Sequence, residues 1–541
     1  MTVLAVAFNG TRVNASDANT NWDNYPTGGQ APSAEANNRF QGTNVVNQKL
    51  STQTLDGLMY SHGSTYDMTG ATYPLFFGKV YVTDYGAVDA TYGVALAIGS
   101  ASTARNKYNV GGTGAKITRF EAYPARGGYI VAAINPNVTG WYDNSSTPTL
   151  TAVDWWGAQA DWVAAANAKS ENFCFDAIDI GSGLTITAGT GADPVGTFPD
   201  FVEADQNDSS NGRWGVCFGA GTFVEAQGML TIGSATATEF TDNAAQLVFL
   251  DSYCDDGDFG VTSDIQNAST VIEIGSTITG LGALHTEADT RPDHIVSGTS
   301  GSYDFYGILT NHRNVEFTSV CDVYDANIEC KLLTQASANI SDTIIKTTSL
   351  TSVACLQDPT FGTTTDLHDV TFIQAGAGHA LEIDTAGDYT ATNIEFSGFN
   401  ASNSQPDSAI DVTAGTGTVN LTVSGGASAN YTYNSAGATV NILTSVLVTI
   451  NVVDEAGNDV NSAQTSVYLT SDDTQVMNED TVSGTATEAF TGSTPAACYI
   501  RVRKGSTGTT KYIPASTTGT IESSTGLTTT VVLREDGINA T

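Results

Sequence analysis

The chain has 541 residues and sets 20 Lys plus Arg against 57 Asp plus Glu, a formal net charge of −37. A polyanion of this strength repels phosphate backbones and anionic lipid alike, which makes nucleic acid and membrane surfaces poor candidates as partners. Charged residues are only 14% of the chain, below the usual quarter; Thr, Ser, Gly, Asn and Ala supply the surface, which suits strands and tight turns.

The first residues, Met1-Thr-Val-Leu-Ala-Val-Ala-Phe8, place no basic residue before a short apolar run. No run approaches the ~20 apolar residues of a membrane span, so neither a signal peptide nor a span is expected. Seven cysteines (174, 217, 254, 321, 330, 355 and 498) show no CxxC spacing. They read as buried reduced thiols of a protein folded in a reducing cytoplasm.

Residues 1–40 are polar and turn-rich and read as an extended arm that orders against a neighbouring subunit or a larger assembly, with Trp22 and Tyr25 as anchors. From 41 to 200 short apolar runs alternate with turn clusters, among them Leu75-Phe-Phe-Gly-Lys-Val-Tyr-Val82 and Phe173-Cys-Phe-Asp-Ala-Ile-Asp-Ile180. This spacing predicts a β-sandwich. One helix is expected, over residues 158–168, beside Trp155, Trp156 and Trp162. Those three tryptophans are either a stacking platform for sugar rings or the packing of a short element onto the sandwich.

Residues 201–443 carry a recurring phrase of polar, β-branched, polar and apolar residues: Asn314-Val-Glu-Phe317, Asn327-Ile-Glu-Cys330, Asp369-Val-Thr-Phe372 and Asn393-Ile-Glu-Phe396. A second phrase, Ala380-Leu-Glu-Ile383 and Ala409-Ile-Asp-Val412, interleaves with it. The step from Asp369 to Asn393 is 24 residues, and that from Asn314 to Asn339 is 25. A fixed period of this length means stacked units, and alternation of period two makes each phrase a strand. The prediction is a right-handed parallel β-helix with Val315, Phe317, Ile328, Cys330, Val370, Phe372, Leu381, Ile383, Ile394, Phe396, Ile410 and Val412 inward. Gly228-Met-Leu-Thr-Ile-Gly233, Gln246-Leu-Val-Phe-Leu250 and Val271-Ile-Glu-Ile-Gly275 are expected to be its first, less regular coils.

From 444 to 541 strands such as Val446-Leu-Val-Thr-Ile-Asn-Val-Val453 and Cys498-Tyr-Ile-Arg-Val502 alternate with turns, the pattern of an Ig-like sandwich. Its cations, Arg501, Arg503, Lys504 and Lys511, are either a docking patch for an acidic neighbour or charges that discourage edge pairing. The fold class expected is therefore all-β in three parts after the arm.

Leu75-Phe-Phe…Asp84, Asp176-Ala-Ile-Asp-Ile-Gly181, Gly228-Met-Leu-Thr-Ile-Gly233 and the Asn-Ile-Glu-Phe phrases resemble virion proteins encoded by tailed bacteriophages. In these a concanavalin-like (jelly-roll) sandwich precedes a parallel β-helix. The stretch Val448…Asp454-Glu-Ala-Gly457 is similar to the Ig-like or carboxypeptidase-regulatory-like modules of phage tail and capsid-surface proteins. The resemblance implies a non-enzymatic component of the particle exposed on tail, collar or capsid, with other virion proteins as partners. A host-glycan adhesin is the alternative, and a polysaccharide depolymerase a further one.

The residues themselves offer little chemistry. Between 214 and 443 the only bases are Arg291, Arg313, Lys331 and Lys346, against 27 acids, which disfavours acidic polysaccharide as a substrate of that segment. Two carboxylates at equivalent coil positions, such as Glu316 and Glu395, would suit glycoside hydrolysis, although the outward slot of a strand is ordinarily just solvated. Asp255, Asp256 and Asp258, and separately Asp454 with Asn458 and Asp459, put oxygen donors on turns and would take calcium if any metal binds. Neither matches a twelve-residue calcium loop, so no cofactor is expected. Weakly charged flanks and strand edges in need of capping predict a homo-oligomer, with a trimer favoured.

Overall fold

The computed structural model describes residues 5–24, 31–39, 42–49, 55–89, 93–101, 104–111, 128–137, 148–163, 172–187, 216–219, 223–226, 228–233, 239–242, 246–249, 260–280, 289, 291–400, 407–424, 431–433, 437–492, 495–505, 510–522 and 525–537. The chain is all-β: among the described residues only the short turns Tyr85–Ala87 and Leu150–Ala152 are helical, both 3-10. No helix among them is long and apolar enough to cross a membrane. Two compact units are present, Met1–Ala338 and Asn339–Thr541.

The first unit opens with a sandwich. One sheet pairs Asn172–Thr187 with Ala5–Asn14, Val45–Lys49 and Leu75–Val82, and the last of these with Gly128–Ile134, all antiparallel. The other runs Trp22–Asn24, Leu55–Tyr66, Val153–Asp161, Val94–Ala101 and Ala104–Gly111. Phe76, Val80, Phe173, Phe175, Ile178 and Ile180 meet Leu58, Leu96, Ile98 and Trp156 between them. A bulge between Phe175 and Ile178, with Ala177 at φ 54, resets the alternation so that both pairs face inward.

Two expectations are corrected here. Residues 5–14 are no arm awaiting a neighbour: they pair with Asn172–Thr187 of their own chain. Trp22 is buried, with its ring centroid 5.5 Å from those of both Tyr60 and Phe175; Tyr25 lies outside the described residues. A buried charge cluster locks the segment down. Asp179 accepts from Arg12 Nε at 2.7 Å and from fully buried Lys79 Nζ at 2.8 Å, tying three strands together. These described parts of the arm are therefore held by their own chain. Nor does a helix form at 158–161, where the strand Val153–Asp161 runs; of the expected helix, 164–168 lie outside the described residues. Trp156, Ala158, Ala160 and Trp162 alternate toward the core, and burial of that face overrides the helix propensity of alanine.

Asn172–Thr187 also joins the sandwich to the parallel strands beyond it, since Gly183–Ile186 pair in parallel with Met229–Ile232. Three ladders of parallel strands then run through the first unit. One stacks Met229–Gly233, Gly260–Asp264, Asp293–Ser297 and the end of Ile308–Glu316. A second stacks Phe223–Ala226, Gln246–Phe249, Thr277–Gly280, the start of Ile308–Glu316 and Asn327–Thr334. The third stacks Glu239–Asp242, Val271–Ile274, Ser302–Phe305 and Cys321–Val323. The three early strands read from sequence each fall in a different ladder.

The second unit repeats the pattern. Thr343–Thr347, Val370–Gln374 and Ile394–Ser397 form one parallel ladder, and Ala354–Leu356, His379–Ile383, Ile410–Val412 and Tyr431–Tyr433 another. The recurring phrases lie over one another: Val370 on Ile394, Phe372 on Phe396 with rings 5.8 Å apart, Leu381 on Ile410 and Ile383 on Val412. Asp342, Asp369 and Asn393, each just before its strand, hold φ of 48°, 54° and 48°. Among residues with a Cβ, Asp and Asn are those that most readily take that left-handed corner, and Asn393 Nδ2 donates to Asp369 Oδ1 at 2.6 Å from one rung to the next. In the first unit Asn314 lies beside Leu332 rather than a copy of its phrase, while Asn327 lies beside Ile308. Of the twelve positions expected inward, all but half-buried Phe396 are buried.

Thr439–Asp454 carries the second unit into a C-terminal sandwich. Its first half pairs in parallel with Thr418–Ser424; further along it pairs antiparallel with Thr485–Gly492 and in parallel with Leu527–Glu535. The facing sheet is Gln475–Asp480, Gln464–Leu469, Ala496–Arg503 and Ala515–Ile521, and Val448, Ile450, Val467, Ile500 and Val502 fill the space between.

His294 and His312 are fully buried in the first unit, 6.5 Å apart between ring centroids, and His294 Nε2 meets the Tyr303 hydroxyl at 2.5 Å. Burial, and then the proximity of His312, push His294 down to about 3; burial does the same to His312. The unfolded chain takes up these two protons near pH 6.5, whereas the folded chain refuses them until about pH 3. Stability is therefore complete above about pH 6.5 and falls as the pH drops toward 3. Urea midpoints measured at about pH 7.5 and about pH 4.5 should show that fall, and His312→Leu should shrink it. An undiminished fall in the variant contradicts the assignment.

Candidate functional site

Trp156 and Trp162 are 0% and 3% exposed and belong to the sandwich core. They present no face to a ligand, which corrects the sugar-platform reading; half-buried Trp155 points to the other face of its strand. Asp255, Asp256 and Asp258 lie outside the described residues. Asp454 accepts from the amides of Ala456 and Asn458 and from Asn458 Nδ2, so its oxygens serve the turn itself. Among the described residues no group of three or more His, Cys, Asp or Glu is placed to hold a metal.

Three of the four bases of the ladder region are taken up by structure. Arg291 pairs with Asp289 at 2.8 Å and Arg313 with Asp293 at 2.7 Å, both buried, and Lys331 lies 3.6 Å from Asp289. Glu316 and Glu395 are exposed, and among the described residues neither stacks on an acid: Glu316 neighbours Ile295 and Thr334, and Glu395 neighbours Thr371. Ser408, His379 and Asp411 approach a nucleophile–base–acid arrangement, with Ser408 Oγ 3.3 Å from His379 Nδ1 and His379 Nε2 3.8 Å from Asp411. Yet Nδ1 also meets the Ser408 carbonyl at 2.7 Å and all three are buried, so no substrate reaches them.

The third ladder of the first unit does build an accessible surface. Register places Thr241, Glu273, Asp304 and Asp322 in one column, each a rung of ~4.8 Å from the next. Thr241 Oγ1 donates to Glu273 Oε2 at 3.3 Å. Two residues further along the chain, on the same side, stand Gly275, Tyr306 and Tyr324. The tyrosine rings stack with centroids 5.6 Å apart and planes 20° apart, Tyr324 being 36% exposed. Gly275 is required below them, because a Cβ there would overlap the Tyr306 ring. Partial burial first, then the charges of Asp322 and Glu273, hold the Asp304 carboxyl above its usual range; burial and Asp304 push the Tyr324 hydroxyl up.

The sequence reading missed this flank. Its signal was present as Glu273-Ile-Gly275, Asp304-Phe-Tyr306 and Asp322-Val-Tyr324, an acid, an apolar residue and then glycine or tyrosine. The unequal steps of 31 and 18 residues hid it from a search for one fixed period.

No family model and no curated protein matches the chain. Among solved structures it is similar to the CBM22-1 xylan-binding domain of Paenibacillus barcinonensis Xyn10C, at 13% identity over 32% of this chain and 96% of that one, with a TM-score of 0.18. It is also similar to a family 11 carbohydrate-binding module from Clostridium thermocellum, in complex with a β-1,3-1,4-mixed-linked tetrasaccharide, at 12% identity over 33% and 96% with a TM-score of 0.19. At these TM-scores the overlap carries no argument about this chain.

The column makes its own test. Like charges on paired strands destabilise by roughly 0.2–1 kcal/mol, so Asp322→Asn should raise stability by about that much near pH 7. Near pH 3, below the raised range of the Asp304 carboxyl, the gain should vanish. Urea unfolding at the two pH values checks this, and no gain at neutral pH contradicts the stacking.

Proposed function

We propose that the chain is a non-enzymatic, glycan-binding structural component of a tailed-bacteriophage particle, displayed on tail, collar or capsid. The sequence resemblance supports the particle. The ladders are read as faces of a right-handed parallel β-helix, and homo-oligomerisation, a trimer favoured, rests on their weakly charged flanks. The glycan reading is carried by one observation, the stacked Tyr306–Tyr324 pair beside the carboxylate column. Tyrosine rings cover the C–H face of a sugar, and aligned carboxylates accept from successive hydroxyls along a chain. Three acids repel an anionic sugar, so the ligand class is a neutral oligosaccharide of the host surface.

A second reading, hydrolysis of that glycan, is favoured by Asp304 alone. Its raised pKa lies one rung of ~4.8 Å from Asp322, close to the ~5–5.5 Å of a retaining carboxylate pair.

A glycan array followed by calorimetry tests the binding. Neutral oligosaccharides should be retained, and Tyr306→Ala or Tyr324→Ala should weaken binding at least about tenfold with the far-UV spectrum unchanged. A flat array, or variants that bind as tightly as the parent, overturns the reading. Release of reducing ends by the parent but not by Asp304→Asn would establish the hydrolytic alternative. Absence of the chain from the mass spectrum of purified virions would remove the particle.

A further inference from the structure

The C-terminal sandwich turns a second, chemically different surface outward. On the sheet of Gln464–Leu469, Gln475–Asp480, Ala496–Arg503 and Ala515–Ile521, Val467, Ile500 and Val502 point into the core. The alternate residues face out. Register sets Ser466 beside Asn478 and Arg501, Tyr468 beside Tyr499, and Gln464 beside Arg503. Gln464, Tyr468, Gln475, Asn478, Arg501 and Arg503 line an open groove of about 530 Å³.

The groove is held in shape by its own contacts. Tyr499 stacks on Tyr468 with ring centroids 5.3 Å apart and planes at 18°, and is fixed behind it by donating from its hydroxyl to Asp473 at 2.8 Å. The Arg501 guanidinium carbon lies 5.0 Å from the Tyr499 centroid and 5.9 Å from that of Tyr468. Arg503 Nε donates to Gln464 Oε1 at 2.6 Å, and Ser466 Oγ to Asn478 Oδ1 at 3.0 Å.

Charge decides the occupant. Among the described residues Arg12 and Lys79 pair with Asp179, Arg291 and Lys331 with Asp289, Arg313 with Asp293, and Arg534 with Glu455. In a chain of net charge −37, Arg501 and Arg503 stand on one exposed face, and among the described residues neither pairs with a carboxylate. A planar guanidinium fits a carboxylate with two parallel hydrogen bonds and is less strongly hydrated than an ammonium. A tyrosine wall with amide and hydroxyl side chains suits the ring and hydroxyls of a sugar. Long polyphosphates are repelled by the rest of the molecule.

We propose that this groove binds a carboxylated saccharide, with Arg501 and Arg503 on the carboxylate, Tyr468 against the sugar ring, and Gln464, Gln475 and Asn478 at the hydroxyls. It is independent of the neutral-glycan flank, because it lies on other residues and selects the opposite property of the ligand.

The test is an array of uronate- and sialate-bearing oligosaccharides printed beside their methyl esters and probed with the full chain, followed by calorimetry on the best ligand. Acid forms should be retained and esters bound at least about tenfold more weakly. Arg501→Ala and Tyr468→Ala should each cost at least about tenfold. Arg501→Lys, which keeps the charge but loses the fork, should fall between parent and alanine variant. The double variant Tyr306→Ala/Tyr324→Ala should bind the acid form like the parent, so failure of the flank reading leaves this result intact. Retention of no carboxylated glycan, equal binding of acid and ester, or tighter binding of a hexaglutamate peptide than of any glycan would overturn the proposal.

Discussion

The parallel pairing of a strand with its counterpart on the next rung is the constraint on which the rest of the ladders depends. Parallel register puts each residue over its equivalent, so whatever one rung displays the next displays ~4.8 Å away. Phe372 lies on Phe396 and Leu381 on Ile410 for this reason, and the same rule lines up Glu273, Asp304 and Asp322. A slip of one residue would send every inward side chain out, so the buried faces fix the columns on the exposed ones. The corners help to hold that register. Asp342, Asp369 and Asn393 turn through the left-handed region at matching places, and the last two are hydrogen-bonded to each other.

Charge is distributed to match. Asp179 goes inside between Arg12 and Lys79, and Asp293 goes inside with Arg313; removing one partner of such a pair is typically far costlier than the pair is worth. His294 and His312 go inside neutral, the first against Tyr303. Outside, two surfaces depart from plain solvation in opposite directions. One aligns acids that repel one another beside stacked tyrosines; the other sets two guanidiniums, without carboxylate partners among the described residues, beside another tyrosine pair.

Much of the ladder architecture was legible because period-two alternation and the Asp369-to-Asn393 spacing are direct consequences of stacking. The polar first position of the phrase also has its reason, since only a few residue types accept the corner at Asp369 and Asn393. Asn314 and Asn327 share the phrase without sharing a ladder position, because the strand Ile308–Glu316 is long enough to serve two ladders at once. Residues 158–161 were misread because alanine favours helix locally while burial of alternate side chains decides the outcome. The arm was misread because Arg12 reveals its role only beside Asp179, 167 residues away. Trp156 and Trp162 illustrate the same gap: sequence gives aromatic residues, and only topology says which side of the strand meets water.

The account stands most directly on the exposed column of the third ladder. A density map of the full chain with a neutral oligosaccharide bound should place Glu273, Asp304 and Asp322 on consecutive rungs with a sugar ring against Tyr306 or Tyr324. A ladder displaced by one residue, or a sugar seated away from those tyrosines, would contradict it.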